Sequence, residues 1–196
     1  MSGKNKSING TSRNIRKINI FNIFLFFLLV SNSCSEINTD DKEESTIVDY
    51  FGQLRVEGRN IVDKKGEIII LRGMSLFWSQ WGSEYYNEET IKWLRDDWKC
   101  TVIRAPIGVE NGGYLDNKLT EFARTFEVID ACIKLGIYVI VDWHDHSAEN
   151  HLAEAMEFFQ TISNKYGNEP NILYKAKFLS FCRRGLSMPR SRVLVW

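Results

Sequence analysis

Between residues 68 and 174 short apolar runs alternate with amphipathic segments of helical period. "LRVEGRNIVDKKGEIIILRGMS" mixes brief β-rich stretches with Gly and Lys-Lys-Gly turns, which predicts a small hairpin leading into a strand at Ile68–Leu71. Asn87 followed by Glu88 and Glu89 marks a helix start, with Ile91, Leu94 and Trp98 at helical spacing. "TVIRAPI" (Thr101–Ile107) reads as an apolar strand that Pro106 stops. A second helix is predicted over about Asn117–Leu135. Its stripe is Leu119, Phe122, Phe126, Ile129 and Ile133, and Gly136 is its stop. "IYVIVDW" is the third strand. A third helix runs from about His151 to Tyr166 with Leu152, Met156, Phe159 and Ile162 inward, Gly167 ends it, and "NILY" (Asn171–Tyr174) is a short fourth strand.

Continuous apolar strands alternating with helices of this length predict an α/β fold, with a parallel sheet buried on both faces and right-handed βα units. Outside that region the pattern changes. Residues 1–34 carry five basic residues and no acid, then "INIFNIFLFFLLV", then small polar residues ending in Cys34, which reads as an export leader. "VSNSCSE" resembles the lipobox of bacterial lipoproteins, with Cys34 as the lipidated residue, although Asn32 departs from the usual small residue. The expectation is an exported protein, secreted or held at the cell envelope through an N-terminal lipid anchor in the membrane. Residues 35–50 read as a polar, acidic tether. Residues 175–196 hold six basic residues, no acid and no clear period.

The formal charge of the whole chain is zero, but past residue 34 it is 20 basic against 25 acidic residues. A mildly acidic body without a basic stripe excludes nucleic acid as a partner class. Six Trp, seven Tyr and twelve Phe suit a protein that stacks flat faces on a ligand. Cys100, Cys132 and Cys182 fit neither a metal knuckle nor a disulfide framework; Cys100 and Cys132 fit burial as small apolar side chains.

In parallel α/β architectures ligands meet the carboxyl ends of the strands. The clusters expected there are "GMSLFWSQW", "RAPIGVENGGY", "DWHDHS" and "KAKF". In order and register, "VEGRNIVDKKGEIIILRGMS…QW", "IKWLRDDWKCTVIRA", "GIYVIVDWH" and "FFQTISNKYGNEPNILY" resemble glycoside hydrolase family 5, most closely its bacterial endo-β-1,4-glucanase branch, over about residues 52–174. The resemblance implies about the first four βα units of a (β/α)8 TIM barrel, here a partial one, and a retaining two-Glu hydrolysis of β-1,4-glucan or a related polysaccharide. No cofactor is implied. Arg104 matches the family's strand-end Arg that orients the nucleophilic Glu. His144 matches the His bordering the cleft, and Trp81 matches the Trp whose face takes a sugar ring. Phe77 and His146 join them as candidate substrate contacts. Phe77 stands where related glucanases often carry His, and Gly108 where some carry Tyr. Trp78 is read as a core candidate.

His144 and His146 form a His-x-His pair, which opens a rival reading as a metal-dependent barrel hydrolase with His151 the third histidine. A second rival is a non-catalytic carbohydrate-binding surface protein. Asn168-Glu169-Pro170 mimics the family's acid motif, but Glu169 precedes the fourth strand and is expected on the rim opposite the cleft. In the family, "YGN-x-PN-x-x-YE" leads after the strand to a second Asn-Glu-Pro that carries the acid; this chain reads "YKAKFLSF". The expectation is therefore a truncated or frame-shifted chain that lacks both catalytic Glu and leaves an apolar sheet edge exposed.

Overall fold

Alternation along the strands sorts two faces, and each face closes differently. The computed structural model describes residues 45–176 and 192–194; the leader, Cys34 and Cys182 lie outside them. A short helix α1 (Ile47–Phe51) precedes a hairpin of β1 (Arg55–Glu57) and β2 (Asn60–Val62). The βα units follow as β3 (Gly73–Ser75), α2 (Glu88–Asp96), β4 (Val102–Gly108), α3 (Tyr114–Lys134), β5 (Tyr138–His144), α4 (Leu152–Tyr166) and β6 (Ile172–Ala176). A fifth parallel strand, β7 (Val193–Leu194), pairs with β6, so the sheet order is β3-β4-β5-β6-β7.

Successive side chains of a strand point to opposite faces. Ile103, Ala105 and Ile107 of β4, Val139, Val141 and Trp143 of β5, and Ile172 and Tyr174 of β6 are buried with Val128, Ile129, Phe158, Phe159 and Ile162 of the helices. The intervening residues form the concave face, which changes character along the strands. At the amino ends Val102, Tyr138 and Leu173 pack with Val48 and Leu54, so α1 and the hairpin region plug that end. The Tyr138 hydroxyl donates to the Gly52 carbonyl at 2.6 Å, pinning the plug. At the carboxyl ends the same face carries Ser75, Arg104, Asp142, His144 and Lys175. One end is therefore apolar and closed; the other is charged and open.

Helix ends follow their local chemistry. Asn87 caps α2 by accepting from the Thr90 N–H at 2.8 Å. Gly136 terminates α3 at φ +65, a left-handed backbone where Cβ is penalised, and a Cβ there would also strike Thr46. Cys100 and Cys132 are buried and unbridged.

Several expectations are corrected. The first sheet strand is Gly73–Ser75, not Ile68–Leu71: Ile68 bridges Val62 and the Ile69 N–H donates to the Ile61 carbonyl, so this run extends the hairpin. Gly73 then allows close pairing with β4, since a Cβ would strike the Val102 carbonyl. Pro106 does not stop its strand. The carbonyl of Pro106 accepts from the Ser79 N–H at 3.1 Å on the β3 side, so its missing N–H removes no bond to β5. Helix α3 begins at Tyr114, with a kink at Asn117 (φ −135, ψ 48), and Leu119 is 84% exposed rather than inward. Trp98 lies beyond α2 and is exposed beside Trp93.

The tether does not run to residue 50. Thr46 and Asp49 form a reciprocal capping box that starts α1, and Val48 is buried. Residues 175–196 are not featureless either. Lys175 and Ala176 complete β6, Arg192 is buried, and Val193–Leu194 join the sheet. Ile68 and Ile70 of the hairpin extension and Met74 of β3 are exposed, and among the described residues β3 is the terminal strand of the sheet.

Candidate active site

Four elements bring their carboxyl ends together. Ser75 ends β3, Arg104 lies on β4, Asp142 and His144 end β5, and Lys175 lies on β6. Register alone places them there, because Arg104, Asp142, His144 and Lys175 occupy alternate positions with the apolar plug residues Val102, Tyr138 and Leu173.

Asp142 is the hub. Its side chain is 1% exposed, and its Oδ2 accepts from Arg104 Nη2 while Oδ1 accepts from Lys175 Nζ at 3.1 Å. His144 Nδ1 lies 3.1 Å from the same Oδ2 and 3.1 Å from Arg104 Nη2. Nδ1 donates to Asp142 in one tautomer and accepts from Arg104 in the other, so the choice fixes whether Nε2 accepts or donates. Arg104 Nη1 donates to the Ser75 hydroxyl at 2.7 Å. Burial pushes the Asp142 carboxyl up, but the His144 hydrogen bond and the Arg104 and Lys175 charges outweigh it and hold the group below the ordinary carboxylate value. Two fixed cations on one carboxylate leave a surplus positive charge at the cleft floor, a setting that favours an anion or developing negative charge.

Above this floor stands an aromatic wall. Trp81 is half exposed and stacks on Trp78 with ring centres 5.0 Å apart and planes 14° from parallel. Phe77 is 6.5 Å from Trp81 and exposed. Trp78 meets His144 edge-on at 4.4 Å and His146 at 5.1 Å. A hollow of about 230 Å³ lies between Trp78, Trp81, His144 and His146, with Glu110, Asn111 and Asp145 completing its lining. The wall is fastened from behind: the Tyr86 hydroxyl donates toward the Phe77 and Pro106 carbonyls, 2.8 Å each, and burial pushes that hydroxyl's pKa up, keeping it a donor. Gly108 lies against the Gln80 side chain, so any larger residue there has to displace Gln80. A larger hollow of about 390 Å³, lined by Ser45, Thr46, Arg95, Lys99, Leu135 and Gly136, lies toward the opposite, amino-terminal end of the strands.

The structure thus gathers Arg104, His144, His146, Trp81 and, at the rim, Phe77. Trp78 belongs to the wall rather than the core. Asp142 and Lys175, which the sequence marked only as parts of the strand-end runs "DWHDHS" and "KAKF", join the cluster as its hub and its second cation. Their signal was the alternation itself, since each falls two residues beyond a plug residue or its neighbour on the same face. His144 and His146 face Trp78 with ring centres 5.8 Å apart, and among the described residues neither belongs to a group of three metal-donor side chains.

Glu169 sits in the loop between α4 and β6, its N–H donating to the Tyr166 carbonyl at 3.0 Å. Arg192 Nη1 donates to the Glu169 carbonyl at 2.6 Å. Ile172 pairs with Val139 at the start of β5, so Glu169 lies before the level of Val139, and five residues of strand, roughly 16 Å, separate that level from His144.

An open, plugged α/β sheet with an aromatic wall and a charged floor at its carboxyl ends has its cleft where (β/α)8 barrels carry their active sites. The family model "Cellulase (glycosyl hydrolase family 5)" matches residues 62–177, and the chain belongs to that family. Endoglucanase Z of Dickeya dadantii is 47% identical over 107 residues, covering 53% of this chain and 25% of the relative. An endoglucanase of Clostridium saccharobutylicum is 34% identical over 167 residues, covering 82% of this chain and 37% of the relative. The chain therefore spans well under half the length of these curated relatives. A solved structure from Cytophaga hutchinsonii has 53% identity and a TM-score of 0.65, covering 67% of this chain and 43% of that one. The catalytic domain of Thermobifida fusca endoglucanase Cel5A has 31% identity and a TM-score of 0.64, covering 67% and 44%; a single-substitution variant of it has also been solved in complex with cellotetraose. The fold is accordingly part of a (β/α)8 barrel.

Proposed function

We propose that this chain forms the sugar-binding wall and charged floor of a β-1,4-glucanase cleft, the cleft that in the intact family cleaves β-1,4-glucan with retention. The observation that carries this reading is the stacked Trp78–Trp81 pair standing over the Arg104–Asp142–His144 cluster at the carboxyl ends of the strands. An indole face accepts the axial C–H surface of a glucose ring. The guanidinium, held by Ser75 and Asp142, presents a fixed cation where a nucleophilic carboxylate needs to stay ionised.

Retaining hydrolysis needs two carboxyl groups about 5–5.5 Å apart on the same rim. Asp142 is engaged by two cations, Glu169 is on the opposite rim, residues 175–196 contain no acid, and of the two carboxylates at the hollow, Glu110 and Asp145, the second is fully buried against the Ser147 N–H and His151 and so cannot reach an anomeric carbon. Lys175 stands where the family motif carries Glu. The 196-residue chain is therefore expected to bind glucan without cleaving it, which is also the feature that favours the reading as a carbohydrate-binding surface protein.

The test is calorimetric titration with cellotetraose alongside a reducing-sugar assay on carboxymethyl-cellulose. Trp81→Ala is expected to weaken binding roughly 3- to 10-fold, the worth of one aromatic face, and Glu169→Gln to leave it unchanged. No hydrolysis is expected from either. Sugar release that disappears in Glu169→Gln would overturn the reading, as would cellotetraose affinity indifferent to Trp81. Export and lipid attachment at Cys34 belong to the same proposal, supported by the basic then apolar leader. Labelled palmitate should enter the chain in a bacterial host and fail to enter Cys34→Ala; equal labelling of both refutes it.

A further inference from the structure

We infer that Glu110, Asp145 and His151 form a binding site for one divalent transition ion of the zinc class, beside the sugar wall and sharing none of the residues of the charged floor. The three come from different places in the chain. Glu110 lies in the loop after β4, Asp145 directly follows β5, and His151 precedes the first turn of α4. One donor atom from each lies within 4.8 Å of the other two. Donors around a single ion with bonds of about 2.1 Å are roughly 3–4 Å apart, so small side-chain adjustments close the set.

Charge supplies an independent reason for a cation. The Asp145 side chain is fully buried, with Oδ1 accepting from the Ser147 N–H at 2.8 Å and Oδ2 lying 2.8 Å from His151 Nδ1. The Glu110 carboxylate faces it and makes no hydrogen bond or ion pair with any described residue. Neither carboxylate is paired with a Lys or Arg among the described residues. Two carboxylates this close, one of them out of water, repel unless a cation intervenes. A proton on His151 compensates one charge; a dication compensates both.

Donor type then selects the ion. An imidazole with two carboxylates suits zinc or a neighbouring transition ion, whereas calcium and magnesium prefer oxygen throughout. Glu110 and Asp145 also line the 230 Å³ hollow, so the site borders a space that water or a sugar hydroxyl can enter. The ion would tie the loop after β4 to the loop after β5, which together hold Asn111 and His146 against the cleft.

The test uses the full chain freed of metal with a chelator, titrated with zinc chloride and checked for bound zinc by elemental analysis after gel filtration. One ion per chain is expected, with at least a roughly tenfold loss of affinity in Glu110→Gln and in His151→Gln, and no change in His146→Gln. In the unmutated protein, ¹⁵N signals of the His151 ring should move on zinc addition while those of His144 and His146 stay, which keeps the test valid if a variant misfolds. Absence of zinc binding, equal binding by both ligand variants, or movement confined to His144 and His146 would overturn the assignment. None of these readouts depends on glucan binding.

Discussion

Truncating Phe158 to alanine is expected to cost about 3–5 kcal/mol of folding stability, the range for removing a fully buried aromatic ring. Phe158 has no exposed surface. Its ring lies 5.2 Å from Trp143 and from Phe159, 5.5 Å from Tyr114 and 5.7 Å from Phe122. It therefore joins the start of α3, the far end of β5 and the middle of α4, and the space it leaves cannot be refilled by one neighbour without breaking another contact. Leu119→Ala is the matched control, because Leu119 is 84% exposed and should change stability by no more than about 0.5 kcal/mol. Urea unfolding followed by circular dichroism and Trp fluorescence gives both values. Similar midpoints for the two variants would mean that the helix layer does not pack on the sheet as described.

Replacing Asp142 by alanine should cost about 3 kcal/mol, at the lower end for removing one partner of a buried charge cluster, because Arg104 and Lys175 each retain about a quarter of their side-chain exposure. The sign of the pH dependence follows from the direction of its shift. The folded carboxyl titrates below its unfolded counterpart, so its contribution is complete above the unfolded value near pH 4 and is lost as pH falls through the lowered folded value. Stability of the unmutated chain should thus fall more steeply below about pH 4 than that of Asp142→Asn. Parallel acid limbs in urea titrations from pH 6 to 2.5 would contradict the ion-pair geometry.

Much of this was legible because burial writes its period into the chain. Ile103, Val139 and Ile172 announce strands buried on two sides, and Asn87 and Gly136 mark helix ends through requirements confined to one or two residues. What escaped depended on partners distant in sequence. Pro106 reads as a breaker until β3 is known to end before reaching it. Ile68–Leu71 has the composition of a sheet strand, yet Val62 and Ile61 claim it for the hairpin. Trp78 reads as core by its apolar character, and only the positions of Trp81, His144 and His146 turn it into a wall. Lys175 sits in a basic run, so its pairing with Asp142, 33 residues earlier, leaves no local mark. Thr46 and Asp49 were readable as a capping box but were masked by the acidic, polar run before them. Glu169 is the converse case: a local motif match that topology assigns to the wrong end.

The proposed sugar site lies at the carboxyl ends of the strands, on Trp78 and Trp81, and not at the end where Glu169 and Trp98 lie. The most direct measurement is ¹⁹F NMR of the 5-fluorotryptophan-labelled chain titrated with cellotetraose, with its six Trp signals assigned by single substitutions. The Trp78 and Trp81 signals should shift together and saturate, while those of Trp93 and Trp98 remain fixed. Shifts at Trp93 and Trp98 with none at Trp78 and Trp81 would place the ligand on the other side of the molecule and contradict the account.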